Sequence, residues 1–173
     1  MGQGDGLIVR EFQKGDAASR AWYSACDLYR YRLERVWAPG EMLAFVMLNP
    51  STATEQSNDP TIERCERRAR ALGFGGLAVV NLFAFRATYP ADLRQAADPE
   101  GPDNAAVVLD TARAAGMVLC GWGTHGDLQQ QGGRMADLLR GQGCALHHLG
   151  LTKGGQPRHP LYVSYAVLPQ LWA

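Results

Sequence analysis

The sequence predicts an α/β domain, a three-layer α/β/α sandwich built on a mostly parallel central sheet. Short apolar runs of strand length end abruptly on asparagine or at glycine-rich turns. Amphipathic helical stretches lie between those runs, and Gly/Pro clusters mark the changeovers. With 173 residues the chain is long enough for one proper core, so residues 1–173 are expected to form a single domain.

The run from Leu43 to Asn49 organises the rest. It is apolar as far as Leu48, lacks the polar face of a surface helix, and meets Pro50, which cannot donate to a ladder. A strand stopping at Asn49 follows. Ligands of open α/β sheets bind outside the carboxyl ends of the strands, which puts Asn49, Pro50 and Ser51 where a site belongs.

Upstream, residues 1–20 are Gly-rich and polar and read as a loosely ordered entry. Residues 27–37 alternate apolar and charged side chains with a slip near Tyr31. That pattern predicts an antiparallel edge strand, bulged or broken near Tyr31, with its arginines at the surface.

Downstream, Asp59-Pro60 is a helix start, since Asp can cap free N–H groups and Pro suits the first helical position. Ile62, Cys65, Ala69 and Leu72 share one face, and Gly73 stops the helix. Leu77 to Asn81 is the next strand, ending on a second asparagine, and Phe83 and Arg86 lie in the apolar, aromatic stretch after it. A helix over 104–115, a strand over 117–120, a helix over 127–140 and a last core strand over 144–149 complete the alternation.

The formal net charge of zero argues against indiscriminate attraction to nucleic acid. Residues 61–94 nevertheless carry six arginines against Glu63, Glu66 and Asp92, which predicts one basic face. The N-terminus lacks the features of a signal peptide, and no apolar run approaches the roughly 18 residues that cross a membrane. A cytoplasmic protein without membrane contact is expected, of unspecified oligomeric state. Cys26, Cys65, Cys120 and Cys144 are scattered without Cys-x-x-Cys spacing and read as small buried apolar residues. No metal site and no cofactor are expected. Neither a phosphate-binding glycine loop nor a Gly-x-Ser-x-Gly elbow is present.

If the strands are parallel, their tips share one edge of the sheet. That edge collects Asn49, Asn81, the turn 121–126 with Trp122 and His125, and the loop 150–162 with Lys153, Arg158, His159 and Tyr162. An asparagine offers one acceptor and two donors, matching the mixed edge of a nucleobase. Amides, an imidazole and an indole with few carboxylates suit a base or nucleotide better than a metal ion.

The motifs Leu48-Asn-Pro-Ser-Thr-Ala53, Asp59-Pro-Thr61, Val80-Asn-Leu-Phe-Ala84 and His159-Pro-Leu-Tyr162 resemble those of an uncharacterised bacterial and phage family of unknown function. More remotely, Met47-Leu-Asn-Pro-Ser51, Asn81 and His159-Pro-Leu161 resemble, in order and spacing, motifs of the uracil-DNA glycosylase superfamily. That resemblance implies a glycosylase-like fold and hydrolysis of an N-glycosidic bond in DNA or a nucleotide. Asn49 would position the water, Asn81 would read the base edge and His159 would stabilise the departing base. Phe83 or Trp122 would stack on the base, and Arg86 and Arg158 would meet phosphates. Pro50, Ser51, Lys153 and Tyr162 are the further candidate contacts. Ser51 stands where that superfamily usually has Gly, Leu161-Tyr162 departs from the late motif, and the cysteines of its cluster-containing branch are missing. An amide cannot be a general base. Two alternatives stay open: a module that binds nucleotide or nucleic acid without cleaving it, and a small-molecule enzyme on the same fold.

Overall fold

A computed structural model of the chain describes residues 6–173. The fold is mixed α/β, with one eight-stranded mixed sheet and helices packed against it. β1 (Ile8–Lys14) and β2 (Ala17–Tyr23) form an antiparallel hairpin turning at Gly15, where φ is 59°. β2 pairs antiparallel with β3 (Arg30–Val36). The chain crosses β4 (Met42–Met47) and α1 (Pro60–Ala71) before β5 (Gly76–Asn81), which lies antiparallel to β3 and parallel to β4. After α2 (Pro90–Gln95) and α3 (Asn104–Ala114), β6 (Met117–Cys120) joins the other side of β4 in parallel. α4 (Gln131–Gly141) then leads to β7 (Leu146–His148), parallel to β6, and β8 (Gln170–Leu171) closes that edge antiparallel.

The expected mostly parallel sheet is therefore corrected. Only β5-β4-β6-β7 is a parallel block, and antiparallel strands flank it on both sides. The buried runs carried the parallel signal, whereas β1 is solvated on both faces and left no readable period. Of the segment read as a loose entry, residues 1–5 lie outside the described residues, and residues 8–20 form the hairpin. That hairpin makes β3 an interior strand rather than an edge. Arg30 and Arg35 are consequently buried, at 2% and 0% exposure, and not at the surface. The ladder between β2 and β3 skips Tyr31, a bulge where the alternation slips.

Successive residues of β4 point to opposite faces, so an unbroken apolar run feeds two cores. Leu43, Phe45 and Met47 pack with Ile62, Cys65 and Ala69 of α1. Ala44 and Val46 pack with Val108 and Ala112 of α3 and with Met135 and Leu139 of α4. Asp59 caps α1 by accepting the Ile62 N–H at 2.9 Å, and Gly73 beyond its end has φ of 85°. The helix expected over 127–140 begins only at Gln131. Gln129 and Gln130, at φ of 54° and 56°, break it from a preceding 3₁₀ turn.

Cys65 and Cys120 are buried, and burial pushes both thiols up, Cys120 to about 12. Cys26 is exposed, against expectation. The basic face is largely spent: Arg67, Arg70 and Arg86 pair with carboxylates, while Arg64 and Arg68 bond backbone carbonyls. No helix among the described residues is long and apolar enough to cross a membrane.

Candidate functional site

Within the parallel block β4 is first in the chain, and its successors lie on either side of it, β5 to one side and β6 to the other. The strand order reverses between β4 and β6, the kind of switch point at which α/β sheets open a crevice beyond their carboxyl ends. A cavity of about 530 Å³ lies there, lined by the tips of β4, β5 and β6, the start of α1 and the loop before β8. Of the residues singled out in the sequence, Asn49, Ser51, Asn81, Trp122, Arg158, His159 and Tyr162 line it, together with His125.

Asn49 follows the end of β4. Its Nδ2 donates to the carbonyls of Ala87 at 2.7 Å and Pro50 at 3.0 Å. Both amide hydrogens are thereby committed to backbone, and Oδ1 is what remains for a ligand or water. Asn81, level with Met47 across the ladder, is 1% exposed. Its Nδ2 is buried without an acceptor among the described residues. The backbone around it is held instead. Asn104 at the start of α3 donates Nδ2 to Asn81 O at 2.8 Å and Leu82 O at 3.1 Å, and Gln131 at the start of α4 donates to Leu82 O at 3.1 Å. These bonds satisfy carbonyls that the chain frees as it leaves the sheet, and leave the Asn81 side chain to the cavity.

His159 Nδ1 accepts the Leu161 N–H at 3.2 Å, closing a short 3₁₀ turn over Pro160–Tyr162. With Nδ1 an acceptor, the neutral ring carries its proton on Nε2 and offers a donor there. Burial lowers the His159 pKa, and the Asp59 carboxylate opposes that shift, so the ring is neutral at neutral pH. The loop reaches this position because β6 gives way to glycine: a Cβ on Gly121 would sit 2.8 Å from Pro160 Cδ. Gly123, at φ of 73°, donates its N–H to Pro157 O at 2.8 Å.

Trp122 is a wall residue, 1% exposed, with its indole N–H bonded to Gln156 Oε1 at 2.7 Å and its ring against Trp172. Tyr162 is 76% exposed, 5.8 Å from the His159 ring. Arg158 is exposed as well.

Four expected contacts fall outside the lining. Phe83 is fully buried in the core beside α3, because the chain turns it away from the strand tip. Pro50 is buried, and its carbonyl accepts from Asn49 and from the Ala87 N–H. Arg86 is drawn to Asp27, 3.1 Å from Oδ1, and lies over Tyr23. Lys153 is exposed and lines a separate hollow with Asp127 and Gln156.

Two charged groups of the lining go beyond what the sequence predicts. Asp59 caps α1 as expected and accepts the Ala53 N–H through Oδ2 at 3.3 Å, and it also lines the cavity. Arg30 is not at the surface, where the alternation predicts it. It lines the cavity as a buried guanidinium whose pKa burial lowers to about 10, with Asp59 opposing. No local pattern betrays Arg30; only the hairpin packed outside β3 puts it indoors. Thr61, Thr88, Thr124 and Thr152 add hydroxyls to the lining, and Thr61 alone stands in a motif the sequence had marked. Among the described residues no three His, Cys, Asp or Glu side chains gather to hold a metal ion.

A family model described as "Protein of unknown function (DUF1643)" matches residues 30–161. The match begins at Arg30 and ends at Leu161, so every cavity residue except Tyr162 falls within it. No curated protein and no solved structure matches the chain.

Proposed function

The chain belongs to the DUF1643 family, whose description names no reaction, and we propose from the cavity itself that the protein recognises a nucleobase or nucleotide. The observation that carries this reading is Asn81: a buried amide with an unpartnered donor, beside a cavity that also offers an Asn49 acceptor and a His159 donor. A buried polar group without a partner costs about 1–3 kcal/mol, and a base edge with matching donor and acceptor would recover it. An α/β/α arrangement of the uracil-DNA glycosylase type accommodates this reading, since its motifs resemble the residues at the two asparagine tips and the late histidine.

In the hydrolytic form, Asn49 Oδ1 orients a water against the sugar carbon. The C–N bond breaks with its electron pair leaving on the base, and His159 Nε2–H hydrogen-bonds the base as charge builds. The water delivers hydroxide to the sugar and its proton to the departing base. One observation favours binding without cleavage: both oxygens of Asp59 already accept backbone N–H bonds, so this lining carboxylate is engaged in holding the loop and the α1 cap.

Calorimetric titration with free bases, nucleosides and nucleotides tests recognition. Binding that falls roughly tenfold or more in Asn81→Ala supports it, and no binding of any base, nucleoside or nucleotide overturns it. A glycosylase assay on uracil- and mismatch-containing strands, with Asn49→Ala and His159→Ala alongside, separates cleavage from capture.

A further inference from the structure

Three arginines are buried among the described residues, and their hydrogen bonding differs. Arg35 donates from its terminal nitrogens to Ser19 Oγ, the carbonyls of Glu34, Thr54 and Ser57, and Asn58 Oδ1. Arg68 donates to the carbonyls of Val163, Ser164 and Val167. Arg30 makes a single bond, from Nη1 to Ala53 O at 2.8 Å, and forms no ion pair among the described residues. It is also the one of the three that lines the cavity. A guanidinium carries five N–H donors, and a buried charge is costly unless it is paired. Each of the three leaves Nε without a partner, but Arg30 makes the fewest bonds, and it is the one a ligand in the cavity can reach.

Resting on the nucleobase reading above, we infer that Arg30 receives a terminal phosphate, and that the natural ligand is a mononucleotide rather than a base held within a strand. Arginine matches phosphate oxygens with paired, charge-assisted N–H bonds. A phosphate monoester brings the negative charge that Arg30 lacks. Position selects the monoester. Arg30 is 2% exposed, so a ligand group meets it only at the end of a path through the cavity. A terminal phosphate ends there, whereas an internal phosphodiester must continue in both directions. The cavity, about 530 Å³, is of the size that encloses small organic ligands. A net charge of zero fits a free nucleotide better than a polyanion.

Calorimetry on the native protein compares each nucleoside with its 5′- and 3′-monophosphate, with ribose 5-phosphate and inorganic phosphate, and with a single-stranded oligonucleotide lacking terminal phosphates. A monophosphate binding roughly 10- to 100-fold tighter than its nucleoside is expected, and an oligonucleotide binding no tighter than the nucleoside. In Arg30→Gln the advantage of the monophosphate disappears, while Arg30→Lys keeps part of it. Circular dichroism melts confirm that both variants fold, and the native comparison stands without them. Nucleosides that bind as tightly as their monophosphates overturn the phosphate inference and leave the nucleobase reading intact, as does an oligonucleotide that binds tightest. Ribose 5-phosphate that binds as tightly as the nucleotides supports Arg30 as a phosphate site and overturns base recognition. Absence of binding by every probe overturns both.

Discussion

Replacing Asn81 with leucine is expected to stabilise the ligand-free protein while removing base binding. The side chain is 1% exposed and its Nδ2 has no acceptor, so folding strips water from the amide without a replacement bond. That loss is about 1–3 kcal/mol, and leucine, similar in shape, avoids it. Imperfect fit against Met47 and Val79, which share the lining, takes back up to about 1 kcal/mol, leaving a net gain near 1 kcal/mol. For a chain of this length each kcal/mol moves the melting temperature by about 2–4 °C. Scanning calorimetry and urea unfolding without ligand measure the gain, and nucleoside titration measures the loss of binding. Asn104→Leu is the contrasting case, since it removes two bonds to the end of β5 and is expected to cost about 2–4 kcal/mol. An Asn81→Leu protein that unfolds at lower urea than the native chain, with an unchanged m-value, would refute the reasoning, because the amide would then have a structural partner.

Asp59→Ala removes the α1 cap and the bond to Ala53 N–H, and should cost about 1–2 kcal/mol by urea unfolding. It should also lower the His159 pKa further, read by NMR titration, because Asp59 is what opposes the effect of burial there. Burial makes folded His159 bind its proton more weakly than the unfolded chain does, so its contribution to stability is full above about pH 6.5 and is lost as pH falls from there through the lowered folded value. Melting temperatures of native protein and His159→Gln should therefore run parallel above that pH, with the native protein losing ground below it. Gly121→Ala places a methyl against Pro160 and should weaken nucleoside binding at a stability cost of about 1–3 kcal/mol, measured by calorimetry and melting. Arg86→Ala should leave binding unchanged, and its coupling to Asp27 in a double-mutant cycle should be below about 1 kcal/mol, since the pair is partly exposed and away from the cavity.

What the sequence made legible is what depends on neighbours close along the chain. The apolar runs of β4, β5 and β6, the Asp59-Pro60 helix start and the Gly73 stop each express local chemistry and each is present, although β4 ends at Met47, two residues before the expected stop at Asn49. From those runs came the expectation that Asn49, Asn81, Trp122 and His159 share one edge, and all four line the cavity. Pairing between distant strands was not legible. β1 has no buried face to betray it, so nothing local said that β3 would be covered or that Arg30 and Arg35 would lie indoors. Phe83 went astray by the same route: at the point where a strand ends, one residue decides between cavity and core, and composition does not fix the turn.

The buried arginines also explain how a site made of loops is kept in shape. The loop after Asn49 has few apolar anchors, yet Arg30 bonds Ala53 O, Arg35 bonds Thr54 O, Ser57 O and Asn58 Oδ1, and Ser19 Oγ donates to Glu55 O. The late loop is held from the other flank, where Arg64 bonds the carbonyls of Pro160 and Val163, and Arg68 those of Val163, Ser164 and Val167. Carbonyls free of secondary structure need donors once buried, and a guanidinium supplies several in one plane from a single rigid strand or helix. β3 and α1 thus grip the two loops that carry Asn49 and His159. The same residues that read as surface charge in the sequence hold the loops that carry the Asn49 amide and the His159 imidazole. Arg30 differs from its companions in making a single side-chain hydrogen bond and in lining the cavity.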